Sequence, residues 1–145
     1  MGWGSNADGG LIMKSLLVLF LSLVLLASMN SCKNAEASEK PSLEVVSVQQ
    51  MIDVLKAEDV QLIDVRTPEE FTSGHIKGAE NVTYDANFSK KLANLDKTKP
   101  VAVYCHKGGR SAKSAVLLKG AGFQKIYDLD GGLSSWVQDN RQVVK

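Results

Sequence analysis

The sequence predicts an α/β domain in which a mainly parallel five-stranded sheet is covered by helices on both faces. Short apolar or β-branched runs alternate with helical patterns, which is the order expected of parallel strands joined by crossover helices. The Val-Ala-Val-Tyr run within residues 100–104 is apolar without alternation, as in a central strand buried on both faces. A glycine-containing loop then leads into a helix, at the edge of the sheet where open α/β folds bind ligands.

The first half of the domain is predicted to contain three strands, over residues 43–46, 61–65 and 79–82. Ser47 can cap a helix after the first strand, because apolar residues then recur at helical spacing: Val48, Met51, Ile52 and Leu55. A short helix is predicted to start at Pro68, since proline is favoured in a first turn. Another helix is indicated by Phe88, Leu92 and Leu95.

The second half is predicted to contain the central strand over residues 100–104 and a fifth strand over residues 125–129. Between them, a helix is expected from Ser111, ending at Gly120 or Gly122 because glycine commonly terminates helices. Its apolar lining is predicted to be Val116, Leu117 and Leu118. A final short helix is expected over residues 133–137.

The loop after the central strand is predicted to hold a negatively charged cysteine sulfur. Cys105 lies between a strand end and a helix start, where backbone N–H groups lack intrahelical partners and the helix dipole favours an anion. Gly108 and Gly109 let the backbone curl so that several N–H groups point at one centre, while Lys107 and Arg110 add positive charge. These features favour a thiolate, so Cys105 is the predicted nucleophile.

The segment Cys105-His-Lys-Gly-Gly-Arg-Ser111 resembles the active-site loop of single-domain rhodaneses, which are sulfurtransferases that carry sulfur as a cysteine persulfide. Two further segments are similar to signatures of that family: residues 62–66 with 69–71 and 74–79, and residues 130–133 with Trp136. The resemblance spans residues 45–137. It implies a rhodanese-like fold and a cofactor-free cycle in which Cys105 takes sulfane sulfur from a donor such as thiosulfate and passes it to cyanide or a thiol.

The resemblance also implies roles for the neighbours of Cys105. The persulfide and substrate are expected to bind the loop residues, which are His106, Lys107, Gly108, Gly109, Arg110 and Ser111. Arg110 is expected to face the anion, because a cation in a first helical turn otherwise opposes the dipole. Lys107 is expected to attract an anionic donor, and His106 is left open between proton transfer and no role.

Two residues of the N-terminal signature are interpreted as supporting rather than catalytic. The resemblance suggests that Asp64 hydrogen-bonds the active loop and that Arg66 pairs with a carboxylate such as Glu70. His75 is expected to fix a turn, and no metal site is predicted because no second His or Cys lies at ligand spacing from it. In the C-terminal signature, a tight turn is expected at residues 131–132 and a core position for Trp136.

Two other functions remain in consideration. Phosphatases and arsenate reductases of related fold bind tetrahedral oxyanions in a Cys-x₅-Arg loop, whereas Cys105 and Arg110 here form Cys-x₄-Arg. The shorter loop encloses a smaller pocket, which suits a single sulfur atom. A non-catalytic rhodanese module that binds a partner is the other alternative, but such modules often lack the cysteine that this chain retains.

The chain has 145 residues and a net charge of +1, enough for one domain, over residues 43–142, without the strong charge that nucleic-acid binding requires. Residues 13–31 form a predicted signal peptide, because Met13-Lys14 precede an apolar run over residues 16–27 that is shorter than the ~20 residues of a membrane span. Residues 28–32 resemble a bacterial lipoprotein cleavage box, so Cys32 is a predicted lipidation site.

Residues 33–42 then form a tether, and residues 1–12 are interpreted as an over-extended gene start or an added segment. We therefore expect an exported monomer in the periplasm or cell envelope, anchored to a bacterial membrane through lipid. Its partners are expected to be small sulfur compounds.

Overall fold

The computed structural model describes Met1, residues 40–57 and residues 59–145. The predicted signal peptide, Cys32, residues 33–39 of the predicted tether and residues 2–12 of the N-terminal extension lie outside the described residues. The described part contains a five-stranded sheet in the order β1-β5-β4-β2-β3, formed by β1 (Ser42–Val46), β2 (Gln61–Asp64), β3 (Glu80–Asn81), β4 (Val101–Tyr104) and β5 (Lys125–Leu129). Every pairing within this sheet is parallel. The predicted α/β class and the central position of β4 are therefore confirmed.

Helices connect the strands and cover both faces of the sheet. They are α1 (Val48–Ala57), α2 (Pro68–Ser73), α3 (Phe88–Lys91) with a 3₁₀ turn (Leu92–Asn94), α4 (Gly109–Gly120) and α5 (Gly132–Gln138). One buried cluster joins the sheet to α3 and α4, and the other joins it to α1 and α5. All four residues of β4 are buried because apolar layers lie on both sides of it. Within the described residues, no helix is both long and apolar enough to cross a bilayer.

Capping residues explain where two of the helices begin. Gln50 N donates to Ser47 Oγ at 3.3 Å and Ser47 N donates to Gln50 Oε1 at 2.9 Å, which confirms the predicted cap of α1. The same reciprocal pattern joins Thr67 and Glu70 at the start of α2, immediately before Pro68. These caps hold the turns that follow β1 and β2 at the carboxyl edge of the sheet.

Helix α4 differs from its prediction in its start and in its buried face. It begins at Gly109 instead of Ser111, because Gly108 adopts a left-handed conformation that lets the loop enter the helix two residues earlier. Val116 is 64% exposed and Leu117 38% exposed, so their predicted place in the lining was wrong. The buried positions follow the spacing of a single helical face and are Ser111, Ser114, Ala115 and Leu118.

Two other elements are shorter than predicted. The third strand is only the two residues of β3, at the edge of the sheet. The Asn81 side chain there donates to the backbone oxygens of Asp64 and Arg66, at 3.0 and 2.9 Å. Beyond β3, the backbone amides of Val82 and Tyr84 also donate to the oxygens of Asp64 and Val65. The helix predicted around Phe88 is a single turn of α3 that tightens into the 3₁₀ turn.

Candidate active site

The sulfur of Cys105 lies at the carboxyl end of β4, where backbone amides converge on it. Cys105 is only 2% exposed, and the Gly108 N–H donates to Sγ at 3.1 Å. Burial raises the pKa of the Cys105 thiol, but the amide and hydroxyl of Ser111 and the amides of Lys107 and Arg110 outweigh it, so the pKa lies below its ordinary value. The loop therefore stabilises negative charge on a buried sulfur.

Gly108 gives the loop its curvature. Its φ of 94° lies in the left-handed region, which glycine adopts without the penalty of a Cβ, and it occupies the N-cap position of α4. The Ser111 hydroxyl closes the turn by donating to Gly108 O at 3.0 Å. Gly109 starts α4, while His106 and Lys107 are exposed on the outer side of the loop. The roles proposed for His106 and Lys107 stay predictions.

Helix α5 fixes the opposite side of the loop through the loop carbonyl groups. Leu133 N donates to Cys105 O at 2.8 Å, and Ser134 N donates to His106 O at 3.0 Å. Gly132 makes this approach feasible, because a Cβ there would overlap the Cys105 carbonyl oxygen and lie 3.0 Å from its carbonyl carbon. The predicted turn at residues 131–132 is confirmed by positive φ at both glycines. Trp136, which is 7% exposed, packs in the core as predicted.

Arg110 forms a two-pronged salt bridge across the site to α2. Its Nη1 and Nη2 donate to the two carboxylate oxygens of Glu70 at 2.7 and 2.8 Å, with both side chains about one-third exposed. Hydrogen bonding by Arg110 is the main cause that lowers the pKa of Glu70 to about 2. Arg110 also lies near enough to Cys105 for their charges to interact, and its expected orientation toward the anion stays a prediction. The Glu70 carboxylate offsets part of that positive charge, so the backbone amides supply the closest stabilisation of the sulfur.

Arg66 pairs with a carboxylate, as predicted, but its partner is Asp64 and not Glu70, the example given. Arg66 binds Asp64 with Nη2 to Oδ2 at 2.6 Å and Nε to Oδ2 at 2.9 Å, and both residues are buried. The Arg66 backbone N–H also donates to Asp64 Oδ1 at 2.9 Å, which favours this local pair over a more distant carboxylate. Arg66 Nη2 further donates to Gly74 O at 2.7 Å and so anchors the segment after α2.

Asp64 does not make the predicted direct hydrogen bond to the active loop among the described contacts. Its carboxylate accepts from Arg66 and lies against Tyr104, the last residue of β4 before Cys105. The Tyr104 hydroxyl accepts from Ile76 N at 3.0 Å. Any support that Asp64 gives to the loop is therefore transmitted through the end of β4.

His75 lies between the end of α2 and a turn at residues 77–78. Its ring stacks on Phe71 with a centroid distance of 3.8 Å, and Nδ1 lies 3.1 Å from Phe71 O. Its backbone forms an antiparallel bridge with Val144 near the C-terminus. Within the described residues, no group of three or more His, Cys, Asp or Glu side chains could hold a metal ion.

Sequence reasoning missed three contributors to the site. Glu70 was suggested as a partner of Arg66 but binds Arg110. The backbone amides of α5 bind the loop carbonyl groups, and no side-chain pattern in the sequence indicates this. Asp128 is the third: it is buried on β5, on the sheet face that Cys105 and α4 share. Its signal was an acidic residue in an otherwise apolar strand pattern, at a position that alternation places on the same face as Ile126.

A parallel sheet of this order with a cysteine loop at the end of its central strand defines the class of protein. A family model described as "Rhodanese-like domain" matches residues 47–139. The chain therefore belongs to the rhodanese-like domain family.

Particular relatives agree with this assignment. The chain is 35% identical over 99 residues to the thiosulfate sulfurtransferase GlpE of Shewanella oneidensis, covering 68% of this chain and 97% of that protein. It is 32% identical over 91 residues to the protein of the same name from Pseudoalteromonas translucida, covering 63% of this chain and 86% of that protein. The crystal structure of a rhodanese-related protein from Thermoplasma volcanium superimposes with a TM-score of 0.63 at 30% identity, covering 70% of this chain and 97% of that one.

Proposed function

We propose that this protein is a sulfurtransferase that moves sulfane sulfur from a donor such as thiosulfate to a thiophilic acceptor through a persulfide on Cys105. The observation that carries the proposal is the ring of amides around Sγ, from Gly108 at 3.1 Å and from Lys107, Arg110 and Ser111. Relatives named thiosulfate sulfurtransferase, which match nearly their whole length to this chain, support the same substrate class.

The geometry suits both halves of such a cycle. The Cys105 thiolate attacks the outer sulfur of thiosulfate, an S–S bond forms on Cys105, and sulfite leaves with the bonding electrons of the donor. Cyanide or a thiolate then attacks the terminal sulfur, thiocyanate or a persulfide leaves, and the Cys105 thiolate is restored. Because the sulfur is anionic before and after loading, amides directed at one small region stabilise each state without a proton transfer.

The test is sulfur transfer from thiosulfate to cyanide, followed together with protein mass. Wild-type protein is expected to gain about 32 Da with thiosulfate and to lose it with cyanide, as a persulfide does. Cys105→Ser is expected to form no adduct and to lose at least about a thousandfold in turnover, as when other enzymes lose a nucleophile. Cys32→Ser is the matched control, since it makes the same substitution outside the matched residues 47–139 and should cycle as the wild type does.

Three outcomes would redirect the assignment. An adduct on Cys105→Ser would refute Cys105 as the nucleophile. A wild type without adduct or turnover, but with hydrolysis of an aryl phosphate or reduction of arsenate, would favour the oxyanion alternative. A wild type inactive in all these assays would favour the partner-binding module.

We further propose that the protein is exported and held at a bacterial membrane, in the periplasm or cell envelope, by lipid on Cys32. Support for this comes from the sequence: the basic start at Met13-Lys14, the apolar run over residues 16–27 and the cleavage-box pattern before Cys32. Wild-type protein expressed in bacteria is expected in the membrane fraction with an acylated N-terminal mass, and Cys32→Ser in the soluble fraction. The Cys32→Ser protein, studied without detergent, is expected to sediment with the mass of a monomer.

A further inference from the structure

A buried carboxyl group lies on the same face of the sheet as Cys105 and has no role in the cycle described above. Asp128 is 4% exposed on β5, and its Oδ1 is buried without a hydrogen-bond partner. Its Cα is paired with Val103 across β4 and β5, two residues before Cys105. Side chains two residues apart on a strand share one face of the sheet, so Asp128 and Cys105 face the same helix, α4.

Ser111 of α4 lies near both groups. It is fully buried, and its hydroxyl is close enough to lower the pKa of the Cys105 thiol and that of the Asp128 carboxyl. The closest acceptor of its hydrogen is Gly108 O, at 3.0 Å. A serine hydroxyl has one hydrogen to donate, so three acceptors compete for it: a carbonyl oxygen, a thiolate and a carboxyl group.

We propose that Asp128 controls the reactivity of Cys105 through Ser111. When Asp128 is protonated, it donates its own hydrogen to Ser111 Oγ and leaves the serine hydrogen to the loop and the sulfur. When Asp128 is ionised, it takes the Ser111 hydrogen for itself and places a negative charge on the same side of the sheet as the thiolate. Asp128 is in this scheme a positioning residue, because it acts on the sulfur only through Ser111 and through its charge.

The surroundings of Asp128 make both protonation states accessible. Burial raises the pKa of its carboxyl, the contact with Ser111 opposes that effect, and the charge of Asp130 adds to it. The titratable group whose charge acts on Asp128 is Asp130, which follows its own strand, and Cys105 follows β4 on the same face of the sheet. Helix α4 presents Ser111, and β1 places the uncharged Val45 beside Asp128. Two titrating groups that share one hydroxyl are coupled, so each shifts the titration of the other.

The proposal rests on the proposed role of Cys105 as the nucleophile, and it is tested by alkylation, which needs no sulfur donor. The rate of reaction of Cys105 with iodoacetamide is measured against pH on the full chain, and peptide mass separates Cys105 from Cys32. Wild type is expected to show two steps, one from each coupled group. Asp128→Asn, which has nearly the same size and cannot ionise, is expected to show one step.

The expected size of the effect follows from the charge that is removed. Asp128→Asn is expected to lower the pKa of the Cys105 thiol by about 0.5 to 1, which gives a three- to tenfold larger thiolate fraction at a pH below that pKa. In a Ser111→Ala background, the same substitution is expected to have less than half of this effect, because only the field of the charge remains. Asp130→Asn is the matched control, since it removes an equal charge from an exposed position nearby and should change the profile less.

Each result of this experiment supports or overturns the proposal. A wild-type profile with one step, or an unchanged Cys105 pKa in Asp128→Asn, would overturn it. An undiminished effect of Asp128→Asn without the Ser111 hydroxyl would overturn the part played by Ser111. Asp128→Ser, which also cannot ionise, repeats the test if the asparagine variant does not fold. Loss of thiosulfate turnover with the alkylation pattern intact would count against the proposed function alone.

Discussion

Replacing Gly132 with alanine is expected to destabilise the domain and to weaken the active loop at the same time. The residue has a φ of +59°, where an L-residue costs roughly 1–2 kcal/mol. The new Cβ would also overlap the Cys105 carbonyl oxygen and crowd the carbonyl carbons of Cys105 and His106, both at 3.0 Å. Since these are backbone atoms, either α5 or the loop must move.

The movement breaks or lengthens the bonds from Leu133 N to Cys105 O and from Ser134 N to His106 O, now 2.8 and 3.0 Å. Each bond contributes about 1 kcal/mol, so the free energy of unfolding is expected to fall by about 3 to 4 kcal/mol. Urea unfolding measures this loss, and thermal unfolding should show a decrease of about 4 to 8 °C per kcal/mol. The pKa of the Cys105 thiol, measured from thiolate absorbance, is expected to rise as the loop loses its fixed conformation.

Gly122→Ala is the matched control for this experiment. Gly122 also has a positive φ, of +94°, but no atom lies within 4 Å of the position of its Cβ. It therefore carries the backbone strain without the collision, and it is expected to cost about 1 to 2 kcal/mol and to leave the thiol titration unchanged. If Gly132→Ala costs no more than Gly122→Ala and leaves the Cys105 pKa in place, the argument that α5 fixes the loop is refuted.

Three other substitutions test the support around the site. Glu70→Gln is expected to lose about 0.5 to 1 kcal/mol of stability at pH 7, measured by urea unfolding. Because the pKa of folded Glu70 (about 2) lies below its ordinary 4.5, this stabilisation is present above pH 4.5 and disappears as the pH falls toward 2, where the two proteins should have the same free energy of unfolding. Asp64→Ala removes the carboxylate that pairs with the buried Arg66 and is expected to cost about 3 to 5 kcal/mol of unfolding free energy. The control Asp85→Ala breaks a pair with the partly exposed Lys91 and is expected to cost less than about 1 kcal/mol, so equal losses would contradict the assignment of a buried pair. Tyr104→Phe removes the acceptor of Ile76 N and is expected to cost about 1 to 3 kcal/mol in thermal unfolding, whereas an unchanged midpoint would show that another acceptor replaces it.

The sequence predicted those features that depend on neighbouring residues. The apolar run of β4, the curl at Gly108 and the capping of α1 by Ser47 are local, and the structure contains each of them. The parallel arrangement of the sheet followed from the alternation of strands and helices, because parallel strands need crossover connections. The loop around Cys105 was therefore foreseeable as a place for an anion before any contact was known.

The sequence did not predict features that depend on distant parts of the chain. Glu70 lies four residues from Arg66 and forty from Arg110, yet it binds Arg110, because the pairing of β2 with β4 places α2 beside the loop. Val116 was wrongly predicted to line the buried face of α4, because an apolar residue on an exposed helix face looks the same in the sequence as a buried one. The placement of Asp128 on the same face of the sheet as Cys105 could be known only from the register of β5 against β4.

The burial of the Cys105 sulfur limits which molecules can react with it before it carries a second sulfur atom. At 2% exposure, the Cys105 sulfur is out of reach of other proteins, so mixed disulfides with exposed cysteines of neighbouring proteins are sterically disfavoured. In the proposed cycle, loading adds a second sulfur about 2.05 Å farther out, the length of an S–S bond. The transferred sulfur would then be accessible to acceptors, whereas the Cys105 sulfur itself is buried. Such an arrangement would suit an oxidising compartment, because it makes the protein a selective electrophile toward small acceptors and keeps its own cysteine out of unwanted cross-links.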